Sequence, residues 1–478
     1  MVFLAGEALL IAIDLIRGTD NPYVGILIYL VGPTILVTGL LMVPLGMLLE
    51  LRRQRKGKPE KEYPVFDMGN PRHRLRLMVF TSVTFAFMIL TMIGTYQAYH
   101  VTESNQFCGV LCHQVMIPEF TTYHFSPHAR VNCVQCHIGP GADWFVKSKL
   151  SGVGQVIAVL TNTYHLPIET PITNLRPARD TCEQCHWPEK FYESVERDLI
   201  YYGSDSENTP YRVDILLHVG TDPISDKPTR SIHWHIGLDH KLEYYASDKE
   251  RQKIPWIRVT YNDGRVAEYI DQKAEGFDPS TIPADQIRTM DCIDCHNRPS
   301  HRFRSAYTTV NEAIKLGLLD PKLPDLKAIL VDALQKEYST TPEALDTLEK
   351  AIRDNYTELL QQDAGKQASV DQAVVQTKII FQQNFFPEWK TDWSKHTWNI
   401  GHFEYPGCYR CHDDQHKSTD GKVISNDCNL CHTIVRQGEG WDVINQLAYQ
   451  EQPFLHPRGF GDDWKGQSCH ECHGPGMM

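Results

Sequence analysis

The chain has 478 residues, a formal net charge of −12, and 42% hydrophobic against 22% charged residues. That length suits two to four structural units, and the composition excludes both a disordered polymer and a polytopic transporter. The acidic balance excludes a nucleic-acid surface, which would need an excess of Lys and Arg.

The chain opens with Met1 to Ile16, which is apolar but interrupted by Glu7 and Asp14. It lacks the basic start and small-residue cleavage site of a signal peptide, so it reads as a short transmembrane helix or, alternatively, an interfacial one. Tyr23 to Leu51 and Leu77 to Tyr96 are two apolar runs of bilayer-spanning length, with Pro33 and Pro44 expected to bend the first. Between them, residues 52–76 hold nine Lys or Arg (positions 52, 53, 55, 56, 58, 61, 72, 74 and 76) against the three acids Glu60, Glu62 and Asp67. Such a basic loop belongs on the cytoplasmic side. Residues 1–100 are therefore expected to be a membrane anchor of two or three helices, with everything after His100 on the periplasmic side.

Fourteen cysteines follow, all in seven close pairs, each pair followed at once by histidine. They are Cys108/Cys112-His113, Cys133/Cys136-His137, Cys182/Cys185-His186, Cys292/Cys295-His296, Cys408/Cys411-His412, Cys428/Cys431-His432 and Cys469/Cys472-His473. Six have the C-x-x-C-H spacing of c-type haem attachment, and the first carries one extra residue. Two thiols bond the two vinyl groups of one porphyrin and the adjacent histidine ligates its iron. A structural zinc site would join two Cys pairs and needs no histidine after each, and redox C-x-x-C pairs rarely recur seven times in one chain. Seven covalent haems are expected, and their attachment outside the cytoplasm agrees with the topology read from the basic loop.

Residues 101–190 form a first three-haem module, with little regular structure beyond a short helix at each motif. Residues 191–304 contain the fourth motif and the clearest strand signals, Ile254 to Val259 and Arg265 to Ile270, separated by Tyr-Asn-Asp-Gly. Residues 305–390 lack cysteine and show helical periodicity over Leu323 to Tyr338 and over Thr341 to Gln362, where Pro342 suits a helix start. They read as a helical spacer. Residues 391–478 form a second three-haem module. The expected fold is mainly α and irregular: transmembrane helices, then a multihaem domain with a small β-element and the spacer.

Each iron needs a second axial ligand, and thirteen histidines after His100 lie outside the motif positions. The favoured partners are His128, His301, His402, His416, His456 and His233 or His235. His124, His165, His218, His240 and His396 rank behind them, and His470, inside the last motif, is too constrained to reach its own iron. At the first motif Met116, three residues past His113, competes as a ligand that would raise the potential, against its reading as a core methionine.

The anchor, the first motif with its following methionine, and the closely spaced motifs after it resemble the NapC/NirT family of membrane-anchored quinol dehydrogenases, most closely its seven-haem members from the inner membranes of metal-respiring bacteria. The likeness is clearest from Tyr23 to Pro188 and includes His-Ile-Gly-Pro-Gly-Ala-Asp-Trp-Phe-Val-Lys-Ser-Lys from His137 to Lys149. The resemblance implies a first haem at the membrane surface beside a quinol pocket with a lysine, matched in position by Lys147 or Lys149. Asp143 is the nearest substitute for the family's acidic residue. Lys147 and Lys149 also read as plain interfacial anchors. The implied activity is menaquinol oxidation, with electrons passed along the haems to periplasmic cytochromes or a partner reductase. Two other readings stay open: an electron-transfer subunit of a larger respiratory complex, and a terminal reductase of a small nitrogen compound or oxyanion.

Overall fold

The computed structural model describes residues 32–56, 67–111, 113–139, 142–172, 176–187, 191, 194–220, 231–440, 452–457, 461 and 463–476. The expectation for Met1 to Ile16, the opening of the first apolar run and Cys112 lie outside them. Two compact units result, residues 1–114 with 132–134, and residues 115–131 with 135–478.

In the first unit, α1 (Gly32–Arg55) ends in Arg52, Arg53 and Arg55, cations that suit the negative end of a helix dipole. Helix α2 (Pro71–Thr102) begins where the Asn70 side chain accepts from the Arg72 N–H at 2.9 Å, with Pro71 at its first position. Its 32 residues extend roughly 48 Å, beyond the ~30 Å of a bilayer core. Among the described residues it is the helix long and apolar enough to cross a membrane, and its side chains stay largely unburied by protein. The second predicted span, Leu77 to Tyr96, lies inside it. Past α2, Phe107–Leu111 forms a π-helical turn. A π-turn absorbs one residue more than an α-turn, and this one contains Cys108, the first cysteine of the longer first motif.

The second unit contains most of α3 (His113–His124) and all of α4 (Ala142–Leu160). Its strands are β1 (Ser194–Tyr202), β2 (Pro210–His218), β3 (His240–Tyr245), β4 (Trp256–Tyr261), β5 (Val266–Asp271), β6 (Arg288–Thr289), β7 (His416–Ser418) and β8 (His432–Glu439). They build two antiparallel sheets of order β1-β2-β8 and β6-β3-β4-β5-β7. The predicted hairpin is present as β4 and β5, shifted by one or two residues, and Gly264 supplies the positive φ of +86° that its turn requires. The β-structure is larger than expected. Strands β7 and β8 follow haem motifs in the last eighty residues, yet they complete sheets begun between residues 194 and 271.

The expected spacer is a helical body: α5 (Ala306–Lys315), α6 (Leu326–Gln335), α7 (Thr341–Asn355) and α8 (Gln367–Asn384). Ser305 and Thr340 cap α5 and α7 through their hydroxyls. The run predicted as one helix to Gln362 breaks at Tyr356, whose buried ring sits under a hydroxyl that donates to Pro324 O at 2.9 Å. Leu323, Leu326, Leu330, Leu348 and Val370 are fully buried in one apolar cluster.

Candidate haem-binding sites

The regular motifs occupy short turns whose geometry follows from their spacing. In one helical turn, residues i, i+3 and i+4 share a face, so two sulfurs and an imidazole converge. His186 and His296 each donate a backbone N–H to the first cysteine of their motif at 2.8 Å. Flanking residues start three of these turns: Asp291 and Asp294 form a capping box around Cys292–Cys295, Asp427 caps Cys428–Leu430, and Ser468 with Glu471 caps Cys469–His473. Asp294 is 2% exposed and does more than cap. It accepts from Tyr244 Oη at 2.7 Å, Arg288 Nε at 2.8 Å and Arg251 Nη1 at 3.1 Å, tying the fourth motif to β3 and β6.

All six regular motifs line one continuous cavity of about 3900 Å³. A pocket for one small ligand rarely exceeds about 1,000 Å³, so this space suits several macrocycles. Inside it, each regular-motif histidine faces one histidine from elsewhere in the chain. The ring centroids are 6.2 Å apart for His137 and His301, 6.1 Å for His186 and His128, and 6.4 Å for His296 and His233. They are 5.8 Å apart for His412 and His235, 6.3 Å for His432 and His402, and 6.2 Å for His473 and His456. A metal held about 2 Å from each of two imidazole nitrogens separates the ring centroids by roughly 6 Å. The donor set and its spacing fit c-type haem with two axial histidines.

The outer nitrogens support the same fit. Nδ1 of His301 donates to Glu119 O at 2.9 Å, His233 to Val219 O at 2.8 Å, His235 to Ile232 O at 3.0 Å, His456 to Pro457 O at 3.0 Å and His128 to Pro299 O at 3.3 Å. A carbonyl only accepts, so each proton sits on Nδ1 and leaves Nε2 with a free lone pair. Burial pushes His235, His301 and His402 down to about 4, keeping them in the neutral form a metal binds.

His416 faces no motif histidine ring among the described residues, although it lies near enough to His412 for its charge to act there. It is 1% exposed, with Nδ1 on Asp413 Oδ1 at 2.9 Å and Nε2 on Ile254 O at 2.7 Å. Both partners only accept, so both nitrogens are donors and the ring is an imidazolium with no lone pair for iron. Its pKa is raised by Asp413 and by the Ile254 carbonyl in spite of burial. His218 is likewise engaged at both nitrogens, with Ser194 and Thr433. His240 bonds Asp239 at 2.7 Å, and His124 packs edge-on to Phe120. His165 and His396 line the cavity without facing a motif ring among the described residues.

The sequence did not single out the aromatic plates. Phe191 stacks on His233 at 4.4 Å, Tyr409 on His402 at 4.5 Å and Phe403 on His473 at 4.5 Å. The only signal was adjacency: Phe403 follows a ligand candidate and Tyr409 lies inside the fifth motif.

The first motif and the expected quinol residues are less fully described. Cys108 lies in the π-turn, while Cys112 and the side chains of His113 and Asp143 are outside the described residues. Met116 lies on the cavity wall. On α4, Lys147 is exposed with its ammonium 4.6 Å above the Trp144 ring, and Lys149 is partly buried.

Comparison with known proteins agrees with this chemistry. Residues 70–170 match the N-terminal region of the NapC/NirT cytochrome c family. The chain is 43% identical over 467 residues to the cytochrome c-type protein ImcH of Geobacter sulfurreducens, covering 97% of this chain and 90% of that protein. This chain belongs to the NapC/NirT family of c-type cytochromes. A second NapC/NirT-type relative, the cytochrome c-type protein NrfH of Wolinella succinogenes, is 25% identical over 121 residues, 24% of this chain and 68% of that protein. No solved structure matches. As a NapC/NirT cytochrome, the chain is a membrane-anchored multihaem cytochrome c that acts in electron transfer.

Proposed function

We propose that this chain is a heptahaem quinol dehydrogenase of the inner membrane that draws electrons from menaquinol and passes them to periplasmic carriers. What supports the reading is the set of six facing histidine pairs in one cavity, each pair joined to its own two cysteines. Bound haem c would supply one-electron relay chemistry.

In this reading, His137, His186, His296, His412, His432 and His473 would each hold one haem iron beside their own cysteines. His301, His128, His233, His235, His402 and His456, in the same order, would hold it from the other side. Six irons held in this way by two histidines each would leave no position for a substrate oxyanion, which sets the terminal-reductase reading behind this one. The seventh haem belongs to Cys108, Cys112 and His113, with Met116 as the competing ligand. Residues 101–190, 191–304 and 391–478 act as haem-bearing segments, and 305–390 as their helical support.

Quinol oxidation releases two electrons and two protons. Lys147 and Lys149 follow an anchor that keeps the protein where lipid-soluble quinol is found, and with Asp143 they are assigned to binding the quinol oxygen and taking its proton. Reduction of the purified, fully loaded protein by a menaquinol analogue tests this. Rapid reduction of the haem spectrum is expected. Full haem loading without reduction would instead favour an electron-transfer subunit whose quinol is oxidised by another protein.

A further inference from the structure

Two neighbouring histidine pairs differ in a way that sets their relative affinity for an electron. Resting on the ligand assignment above, we infer that the iron of the fifth motif, between His235 and His412, has the lower potential. The iron of the sixth, between His402 and His432, has the higher one, so electrons fall from the fifth motif to the sixth.

The inference follows from the outer nitrogen of each ring. Nδ1 of His235 donates to Ile232 O at 3.0 Å and Nδ1 of His412 to Ser425 O at 2.9 Å. Each bond lends its imidazole some imidazolate character, which makes it a stronger donor, favours ferric iron and lowers the potential. At the sixth motif, Nδ1 of His402 and Nδ1 of His432 are both buried and neither reaches a carbonyl of another residue among the described residues, the His402 ring meeting only its own backbone. Those rings remain weaker donors, and ferrous iron is favoured. The two sites are adjacent, since Tyr409 of the fifth motif stacks on His402 at 4.5 Å with an interplanar angle of 10°. Arg410 and the His416 imidazolium both bear on the fifth motif and are opposed there by Asp413, so the proposed order has the imidazole difference outweigh that positive charge.

The test is potentiometric titration of the full-length, haem-loaded protein, following its spectrum and low-temperature EPR. His402→Met and His235→Met each mark one component by shifting it upward. The expected result is that the component marked by H402M lies above the one marked by H235M in the unsubstituted protein. The reverse order, or coincidence, overturns the inference. If neither variant moves any component, the ligand assignment itself fails, which is a distinguishable outcome. A second pair of variants leaves every ligand in place. The Asp414 carboxylate holds the Asn426 N–H at 3.0 Å, beside the Ser425 carbonyl that His412 uses, and Asp414 has a φ of +59° that glycine tolerates. Asp414→Gly releases that loop, whereas Asp414→Asn removes only the charge. The lower component should rise further in D414G than in D414N while the upper one stays. Equal shifts in the two variants would contradict the proposed hydrogen-bond origin.

Discussion

The helical body of residues 306–384 and the cavity-lining segments around it are stabilised by different means. In the former, Leu326, Leu330, Leu348, Val370 and Ala373 are all 0% exposed and pack on one another. In the latter, turns of three to five residues present cysteine and histidine to a large shared space, beside two small apolar clusters on the sheets, around Leu242, Ile257 and Val259 and around Tyr211, Val213 and Ile434. The first is a protein core in the ordinary sense. The second depends for its apolar filling on the covalent cofactor, and this contrast makes specific demands.

The largest expected effect comes from denying the chain its haems. Produced without haem attachment, it should retain a protease-resistant helical fragment spanning about residues 305–390, while the flanking motif segments are cleaved. Equal protection of both regions in a timed digest would erase the distinction. Next in size, Leu330→Ala or Leu348→Ala should cost about 2–5 kcal/mol in denaturant unfolding of the helical body, with the haem spectrum unchanged before that transition. His301→Ala should do the opposite, converting one low-spin EPR signal to high spin with little effect on that unfolding.

His416, on the edge strand β7 of the five-stranded sheet, gives a smaller, pH-dependent effect. Its folded pKa lies above the unfolded value of about 6.5. The stabilisation is therefore complete below the unfolded value and is lost as pH rises through the folded one. Asp413→Asn should cost about 1–3 kcal/mol on the acid side and flatten the dependence, as read by thermal unfolding at several pH values. An unaltered pH profile would remove the imidazolium assignment. The smallest structural effect is expected from Lys147→Gln and Lys149→Gln. These should raise KM for a menaquinol analogue severalfold while leaving the haem content and unfolding midpoint unchanged.

What could be read from the sequence follows the same division. Local rules were sufficient for the helical body, where Thr340, Pro342 and the leucine spacing all act within a few residues, and for the hairpin turned by Asn-Asp-Gly. They also nominated His128, His301, His402, His456 and His233 or His235, each of which the structure sets opposite a motif histidine, because these sit in short constrained segments. They did not reveal which motif each one faces. His301 meets His137 across more than 160 residues and His235 meets His412 across nearly 180, separations that no periodicity encodes. His416 has the same local appearance as the others, and only its Asp413 and Ile254 partners distinguish it. Strands β7 and β8 were missed because each is paired with residues some 150 to 220 positions earlier.

The most direct test is the haem-to-polypeptide ratio of the detergent-extracted protein by pyridine haemochrome, taken together with its low-temperature EPR spectrum. The account predicts seven haems per chain, six of them low-spin with two imidazole ligands. Free thiols at any of the six regular motifs, or a predominantly high-spin spectrum in the fully loaded protein, would contradict it.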